Sequence, residues 1–307
     1  MKFLSENGLS KMINFFNKIL NFFINLKKTK ETIIRLNEVK LLNGKILAEM
    51  QKKKFYPDLN DSEFKVFSQF GEDGIIQYLI NNLKISNKKF IEFGVENYDE
   101  ANTRFLLENN NWSGLIIEGN QKNINYIKQQ NYYWRYDLTA VNAFVSIKNI
   151  NDIIRSNYFE GNIGLLSIDI DGNDYWILKE INVISPDIII IEYNANYGPD
   201  KSLTVKYNEN FQRAKNNIEK LIYGCSLKAA NNLCKEKGYS LVCTNKNGNN
   251  AFFVKTKLLN EKIKEKTIGE VFQINSFKEY CDSSGKPSKI SAKQIYEIHN
   301  SPLVQEV

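Results

Sequence analysis

The stretch GLLSIDIDGNDYWIL, residues 164–178, decides the fold. GLLSIDI (164–170) is an apolar run of strand length, Gly172 supplies a turn, and from Asn173 to about residue 182 the apolar positions recur at helical spacing. This is one strand–turn–helix unit with aspartates, Asp169 and Asp171, at the carboxyl end of its strand. The same unit recurs upstream. KFIEFGV (89–95) precedes the helical ANTRFLLENN (101–110), SGLIIEG (113–119) precedes a helix over 121–130, and YYWRYD (132–137) reads as a strand before a helix reaching about residue 155. Downstream, DIIIIEY (187–193) is nearly pure isoleucine, as expected of a strand buried on both faces. After a helix around 226–237, YSLVCTN (239–245) and NNAFFVK (249–255) are joined by a short Lys-Asn-Gly turn and read as an antiparallel hairpin. Five alternating units closing in a hairpin predict an open, mostly parallel α/β sheet of seven strands.

The composition supports this and excludes other classes. The chain has 307 residues, 42% hydrophobic and 25% charged, enough for a globular core. Its net charge of +6 is uneven. Residues 1–56 hold 12 Lys/Arg and 4 Asp/Glu, a balance of +8; residues 57–255 hold 21 and 24, or −3; residues 256–307 hold 8 and 7, or +1. These boundaries divide the chain into a basic helical arm, an α/β domain and a C-terminal extension. A faintly acidic domain argues against a nucleic-acid groove. Cys225, Cys234, Cys243 and Cys281 form no CxxC pair, so free thiols in a reducing cytoplasm fit better than zinc or a disulfide framework. His299 is the only histidine, and it reads as a surface residue rather than a base.

In an open parallel sheet, ligands bind outside the carboxyl ends of the strands. Those ends read Glu92-Phe93-Gly94, Glu118-Gly119, Asp137, Asp169-Ile170-Asp171 and Glu192-Tyr193-Asn194, a polar group behind every apolar strand body. Gly94 allows a tight turn beneath a ligand, and Glu118, 24 residues later, is placed to accept both hydroxyls of a ribose. This spacing suits NAD and S-adenosylmethionine alike. The closing hairpin favours the Rossmann-like class I methyltransferase arrangement.

Several segments then carry a closer resemblance. FSQFGEDGIIQYLI (67–80), FIEFGVENYDEANTRFLLENNNWSGLIIEG (90–119), LLSIDIDGNDYWIL (165–178), PDIIIIEYN (186–194), YGCSLKAANNLCKEKGY (223–239) and GNNAFFV (248–254) resemble, in order, the FkbM-type methyltransferase family over about residues 65–255. The resemblance implies S-adenosylmethionine as methyl donor and a sugar or polysaccharide-precursor hydroxyl as acceptor, as in bacterial surface glycan biosynthesis. By position it implies cofactor contacts from Glu92 and Gly94, from Glu118 with Gly119, and from Gln69, Glu72, Asp73, Asn102 and Thr103, with Asp169 and Asp171 as the acidic fourth-strand motif. Asp137 joins the cofactor set by its expected strand-end position. The chain departs from the family at Glu96 and Tyr98, where relatives often carry glycine.

Methyl transfer from a sulfonium is an in-line displacement that needs alignment and removal of the acceptor's proton. With no histidine in the domain, a carboxylate at Asp169 or Asp171 is the expected base, or the proton leaves through a bound cation. Asp169, Asp171, Glu192 and Asn194 supply oxygen ligands suited to Mg²⁺ or Mn²⁺; alternatively Asp171-Gly172-Asn173 is a turn and helix cap. Two rival readings remain, the first of them on the same residues. Asp169-Ile170-Asp171 also fits the Asp-x-Asp motif of metal-dependent nucleotide-sugar glycosyltransferases, and the altered loop with the arm fits a non-catalytic scaffold.

The arm contains MINFFNKILNFFINL (12–26), with Asn14, Asn17, Lys18, Asn21 and Asn25 on one polar stripe. The stripe interrupts any signal-peptide core and any membrane span. A second helical pattern follows Lys27, Lys28 and Lys30. Such a helix suits the inner face of an anionic membrane, packing on the protein's own core, or self-association through residues 12–26.

Overall fold

The computed structural model describes residues 6–213, 218–275, 286, 288 and 290–307. It forms two compact units, Met1–Ile46 and Leu47–Val307.

The described residues of the first unit all belong to one helix, α1 (Glu6–Gln51). The two helical patterns of the arm are one element. Nothing between Lys27 and Lys30 breaks it, and Thr29 and Thr32 fold their hydroxyls back to the carbonyls of Asn25 and Lys28. Within 12–26 the described side chains are Lys18, Asn21, Phe22, Ile24 and Asn25, all exposed; the other side chains of that stretch lie outside the described residues. Ile33, Leu36, Val39, Leu42 and Ile46 are also exposed. Among the described residues, no helix is long and apolar enough to cross a membrane.

The second unit is the expected α/β domain. Its elements are α2 (Glu72–Asn82), β1 (Lys89–Phe93), α3 (Arg104–Asn110), β2 (Ser113–Glu118), α4 (Gln121–Lys128), α5 (Asn131–Arg135), β3 (Leu138–Asn142), α6 (Ile150–Ser156), β4 (Gly161–Ile168), α7 (Asp174–Glu180) and β5 (Ile184–Glu192). They continue with β6 (Leu203–Val205), α8 (Leu227–Glu236), β7 (Tyr239–Thr244), β8 (Asn250–Lys255), α9 (Ile268–Val271), α10 (Ala292–His299) and β9 (Val304–Glu306). The seven-stranded sheet has the order β3-β2-β1-β4-β5-β8-β7; its first five strands are parallel, and β8 enters antiparallel between β5 and β7. This is the Rossmann-like class I methyltransferase arrangement. Ile188 to Ile191 on β5 are buried on both sides of the sheet, so their alternate side chains enter two separate cores.

The third strand lies later than expected. YYWRYD is mostly helix α5, and the strand is LTAVN at 138–142. Asp137 therefore precedes β3, where its carbonyl accepts from Gly114 at the amino end of β2 (2.8 Å). It stands at the opposite edge of the sheet from the strand carboxyl ends, which corrects its assignment to the cofactor set.

The segment after β8 packs on this unit. Ile263 is fully buried, the Lys266 amide donates to the Leu241 carbonyl (2.8 Å), the Tyr193 hydroxyl donates to the Gln273 carbonyl (2.9 Å), and β9 pairs antiparallel with β6. Most of the loop expected at 281–289, including Cys281, lies outside the described residues. Cys225, Cys234 and Cys243 are free, and burial pushes all three thiols up, which makes them unreactive packing groups.

Candidate active site at the strand carboxyl ends

The carboxyl ends of β1, β2, β4 and β5 open into one cleft of 570 Å³. Its floor is set by Gly94. This residue has φ +72°, and a Cβ there would stand 1.5 Å from the Asp169 carbonyl oxygen, so only glycine lets the ends of β1 and β4 meet. Glu92 lies beside it, buried, and ties β1 to the start of α3: its carboxylate accepts from the amides of Asn102 (2.9 Å) and Thr103 (3.1 Å). Burial raises the Glu92 pKa to about 7, although the bonds from Thr103 and Asn102 oppose the shift. Glu92 and Asn102 line the cleft, whereas Thr103 stands behind them and bonds to Glu92 and Tyr98.

The loop after Gly94 keeps glycine-like backbone at Glu96 and Tyr98, the two positions where the sequence resemblance led to an expectation of glycine. Glu96 has φ +46° and Tyr98 φ +63°, a region costing roughly 1–2 kcal/mol for a residue with a Cβ. Tyr98 offsets this by complete burial, with its hydroxyl 2.9 Å from the Thr103 hydroxyl and its ring edge-on to Tyr132. The Glu96 amide donates to Glu118 Oε2 (2.9 Å), and the Asn120 amide donates to Glu118 Oε1 (2.7 Å). Glu118 is thereby held in place, and each of its oxygens keeps further acceptor capacity toward the cleft. Gly119 is also part of the lining, with the ring of Phe144 where a side chain would stand. That ring is 79% exposed on the cleft wall, and no motif had marked it.

Just after β4, Asp169 lines the cleft and Asp171 follows in a left-handed turn at φ +57°. The turn is locked by buried Asp174, which accepts from the amides of Ile170 (2.8 Å) and Gly172 (2.9 Å). The expected turn and helix start are present, and Asp169 and Asp171 face the cleft all the same. Glu192 at the end of β5 is the third carboxylate: one oxygen from each of Asp169, Asp171 and Glu192 lies within 4.8 Å of the others. Burial, then neighbouring negative charge, pushes Asp169 and Glu192 well above the usual carboxylate range, led for Asp169 by Asp171 and for Glu192 by Asp169.

Asn194 does not join them. It is fully buried, donates to the carbonyls of Leu221 (2.8 Å) and Tyr223 (3.1 Å) and accepts from the Asn196 amide (3.0 Å). Its side chain shapes the turn after β5, which corrects its placement among the metal ligands. Glu72 and Asp73 also stand away from the cleft lining. Glu72 clamps the β7–β8 turn, accepting from Asn245 (2.6 Å) and Asn250 (3.0 Å). One oxygen of Asp73 accepts from the amides of Val66, Phe67 and Ser68 and from the Ser68 hydroxyl. These two acids brace the loop that brings Gln69 to the cleft.

Sequence reasoning also missed Arg213. It lies in a segment without periodicity, yet its guanidinium reaches Asp171 Oδ1 at 2.6 Å and stacks over the Tyr223 ring at 3.6 Å. The segment is pinned across the acidic turn by a bond from Asn173 to the Asn208 carbonyl (2.8 Å) and by Phe211 against Gly172. Among the described lining residues there are eight carboxylates, Glu100 and Glu209 included, and one cationic side chain, Arg213. His299 lies elsewhere, with its Nε2 2.9 Å from the Asn196 carbonyl. Trp112 and Trp176 are packing residues, whereas Trp134 is 70% exposed.

No protein-family model matches the chain, and no curated protein matches it. Among solved structures it is similar to a putative caffeoyl-CoA O-methyltransferase from Staphylococcus aureus, at 16% identity over 74% of this chain and 99% of that one, with a TM-score of 0.40. A S-adenosylmethionine-dependent methyltransferase from Clostridium acetobutylicum ATCC 824 shares 9% identity over 60% and 89% of the two chains, with a TM-score of 0.38. The N-terminal domain of EvdMO1 with SAH bound shares 10% over 54% and 72%, with a TM-score of 0.37. These likenesses are distant, and the fold rests on the strand order described above.

Proposed function

We propose that this chain is an S-adenosylmethionine-dependent O-methyltransferase whose acceptor is a hydroxyl of a sugar or polysaccharide precursor, in line with its FkbM-type resemblance and bacterial surface glycan biosynthesis. The observation that carries the reading is the presence in one acidic cleft of a backbone-held carboxylate at the end of β2 and a carboxylate group at the ends of β4 and β5. Glu118 would accept the ribose hydroxyls, and the exposed Phe144 ring beside it would stack on the adenine. Gly94 and its left-handed loop bring backbone close to the ligand. An acidic lining suits a sulfonium cation and opposes a polyanion. The cofactor supplies a methyl group activated by its positive sulfur. Asp169, beside Glu192 on the cleft wall, would take the proton that the acceptor oxygen gives up as that oxygen takes the methyl group.

Titration calorimetry with S-adenosylmethionine and with a panel of nucleotide sugars tests this. Binding of the cofactor supports the reading. Binding of a nucleotide sugar alone would overturn it in favour of the Asp-x-Asp glycosyltransferase, and binding of neither favours a non-catalytic scaffold. We assign the arm to an anionic lipid surface at the inner face of the membrane: exposed Leu36, Val39, Leu42 and Ile46 form an apolar stripe, while a balance of +8 over residues 1–56 opposes pairing of two copies.

A further inference from the structure

We propose that Asp169, Asp171 and Glu192 form a binding site for a hard divalent cation of the Mg²⁺ or Mn²⁺ class. Three observations carry it. First, the three carboxylates each present an oxygen within 4.8 Å of the others, and two of them are fixed by neighbouring strands, since Ile168 pairs with Ile191 one residue before each acid. Second, Glu192 is only 7% exposed, yet it lines the cleft, and its Oε2 has no hydrogen-bond partner among the described residues. A buried carboxylate oxygen without a donor is costly, and its neighbours Asp169 and Asp171 bring only further acceptors when ionised, so neither offsets that cost. A cation in the cleft would. Third, the set contains only oxygen donors, with neither His nor Cys, which selects a hard ion over zinc or copper.

Arg213 adds a competitor. It holds Asp171 Oδ1 at 2.6 Å, so an ion engaging that oxygen must displace the guanidinium or share the carboxylate with it. Asp169 and Glu192 are then the primary ligands and Asp171 the adjustable one. Under the methyltransferase reading, on which this role alone rests, the ion would bind the acceptor hydroxyl and ease loss of its proton. The binding itself does not depend on that reading.

Titration of Mn²⁺ into the full-length protein, followed by electron paramagnetic resonance of free Mn²⁺, tests the site. One saturable site is expected, competed by Mg²⁺, and Glu192→Gln should weaken it by about tenfold or more while circular dichroism stays unchanged. If Glu192→Gln does not fold, Asp171→Asn is the second variant, with a loss of about fivefold or more expected because its carboxylate is exposed. Absence of a saturable site in the wild-type protein, or undiminished affinity in whichever variant folds, would overturn the proposal. Calorimetry with S-adenosylmethionine in excess chelator separates the two readings. Cofactor binding without a Mn²⁺ site removes the cation alone, and a Mn²⁺ site without cofactor binding removes the methyltransferase reading alone.

Discussion

Glu118 illustrates what single side chains contribute here. Its two oxygens hold the amides of Glu96 and Asn120, so it organises the loop as well as lining the cleft. Glu118→Ala is expected to weaken S-adenosylmethionine binding roughly tenfold to hundredfold, because each hydrogen bond to a charged acceptor contributes about 1.5–3 kcal/mol. Calorimetry beside a thermal melt checks it, and unchanged affinity would remove Glu118 from the cofactor site. Phe144→Ala should cost about 1–3 kcal/mol of binding free energy and little stability, since a stacked base contributes that much and the ring is largely exposed. Equal affinity in that variant would sink the stacking role. Gly94→Ala should instead destabilise the fold by ~2 kcal/mol or more in denaturant unfolding, because its φ of +72° and the Asp169 carbonyl both exclude a Cβ. The position of this cleft was legible in the sequence: that Glu92, Gly94, Glu118, Asp169 and Asp171 line it follows from reading what stands after each apolar run. Asn194 was misassigned because its place in the chain does not reveal that Leu221 and Tyr223 turn its amide inward. Arg213 was invisible for a related reason. It meets an acid 42 residues away through a loop that has no pattern.

At the scale of elements, the strands with long apolar bodies were readable and the short or aromatic ones were not. Tyr and Trp favour strands, so YYWRYD looked like one. In the protein Tyr132 turns inward from a helical turn, under the guanidinium of Arg104, and the strand begins at Leu138. β6 and β9 have three residues each, below what alternation can reveal. The helix α1 was legible as helical but not as continuous, since lysines resemble a boundary without breaking a helix. Its assignment to lipid makes a prediction at this scale. The full chain should co-sediment with vesicles containing phosphatidylglycerol, removal of residues 1–46 should abolish this, and about 0.5 M salt, roughly three times physiological ionic strength, should weaken it. Equal sedimentation with neutral vesicles would contradict the charge argument, and a salt-resistant dimer without vesicle binding would point to self-association.

Over the whole molecule, buried acids tie stability to pH. Burial raises Asp73 from 3.8 to about 6 and Glu92 from 4.5 to about 7. A raised carboxyl pKa means that the folded state holds its proton more tightly than the unfolded chain. The associated stability is complete below pH 3.8 and 4.5 respectively and is lost as pH rises through 6 and 7. At about 1.4 kcal/mol per unit, each group accounts for ~3 kcal/mol as an upper figure. The melting temperature should therefore fall between pH 5 and pH 8, and Asp73→Asn should flatten the fall; an unchanged slope would show that Asp73 does not carry it. The small β6–β9 sheet has a consequence of a different kind. Val205 and Val304 pair although 99 residues separate them (304 − 205). During synthesis β6 emerges long before its partner, and its open edge, beside the segment that carries Arg213, waits without cover. A ribosome that stalls after β8 and before β9, or a protease that cuts there, would release a chain with all seven strands of the main sheet and a sticky flank, so aggregation should track the loss of β9 rather than loss of the core.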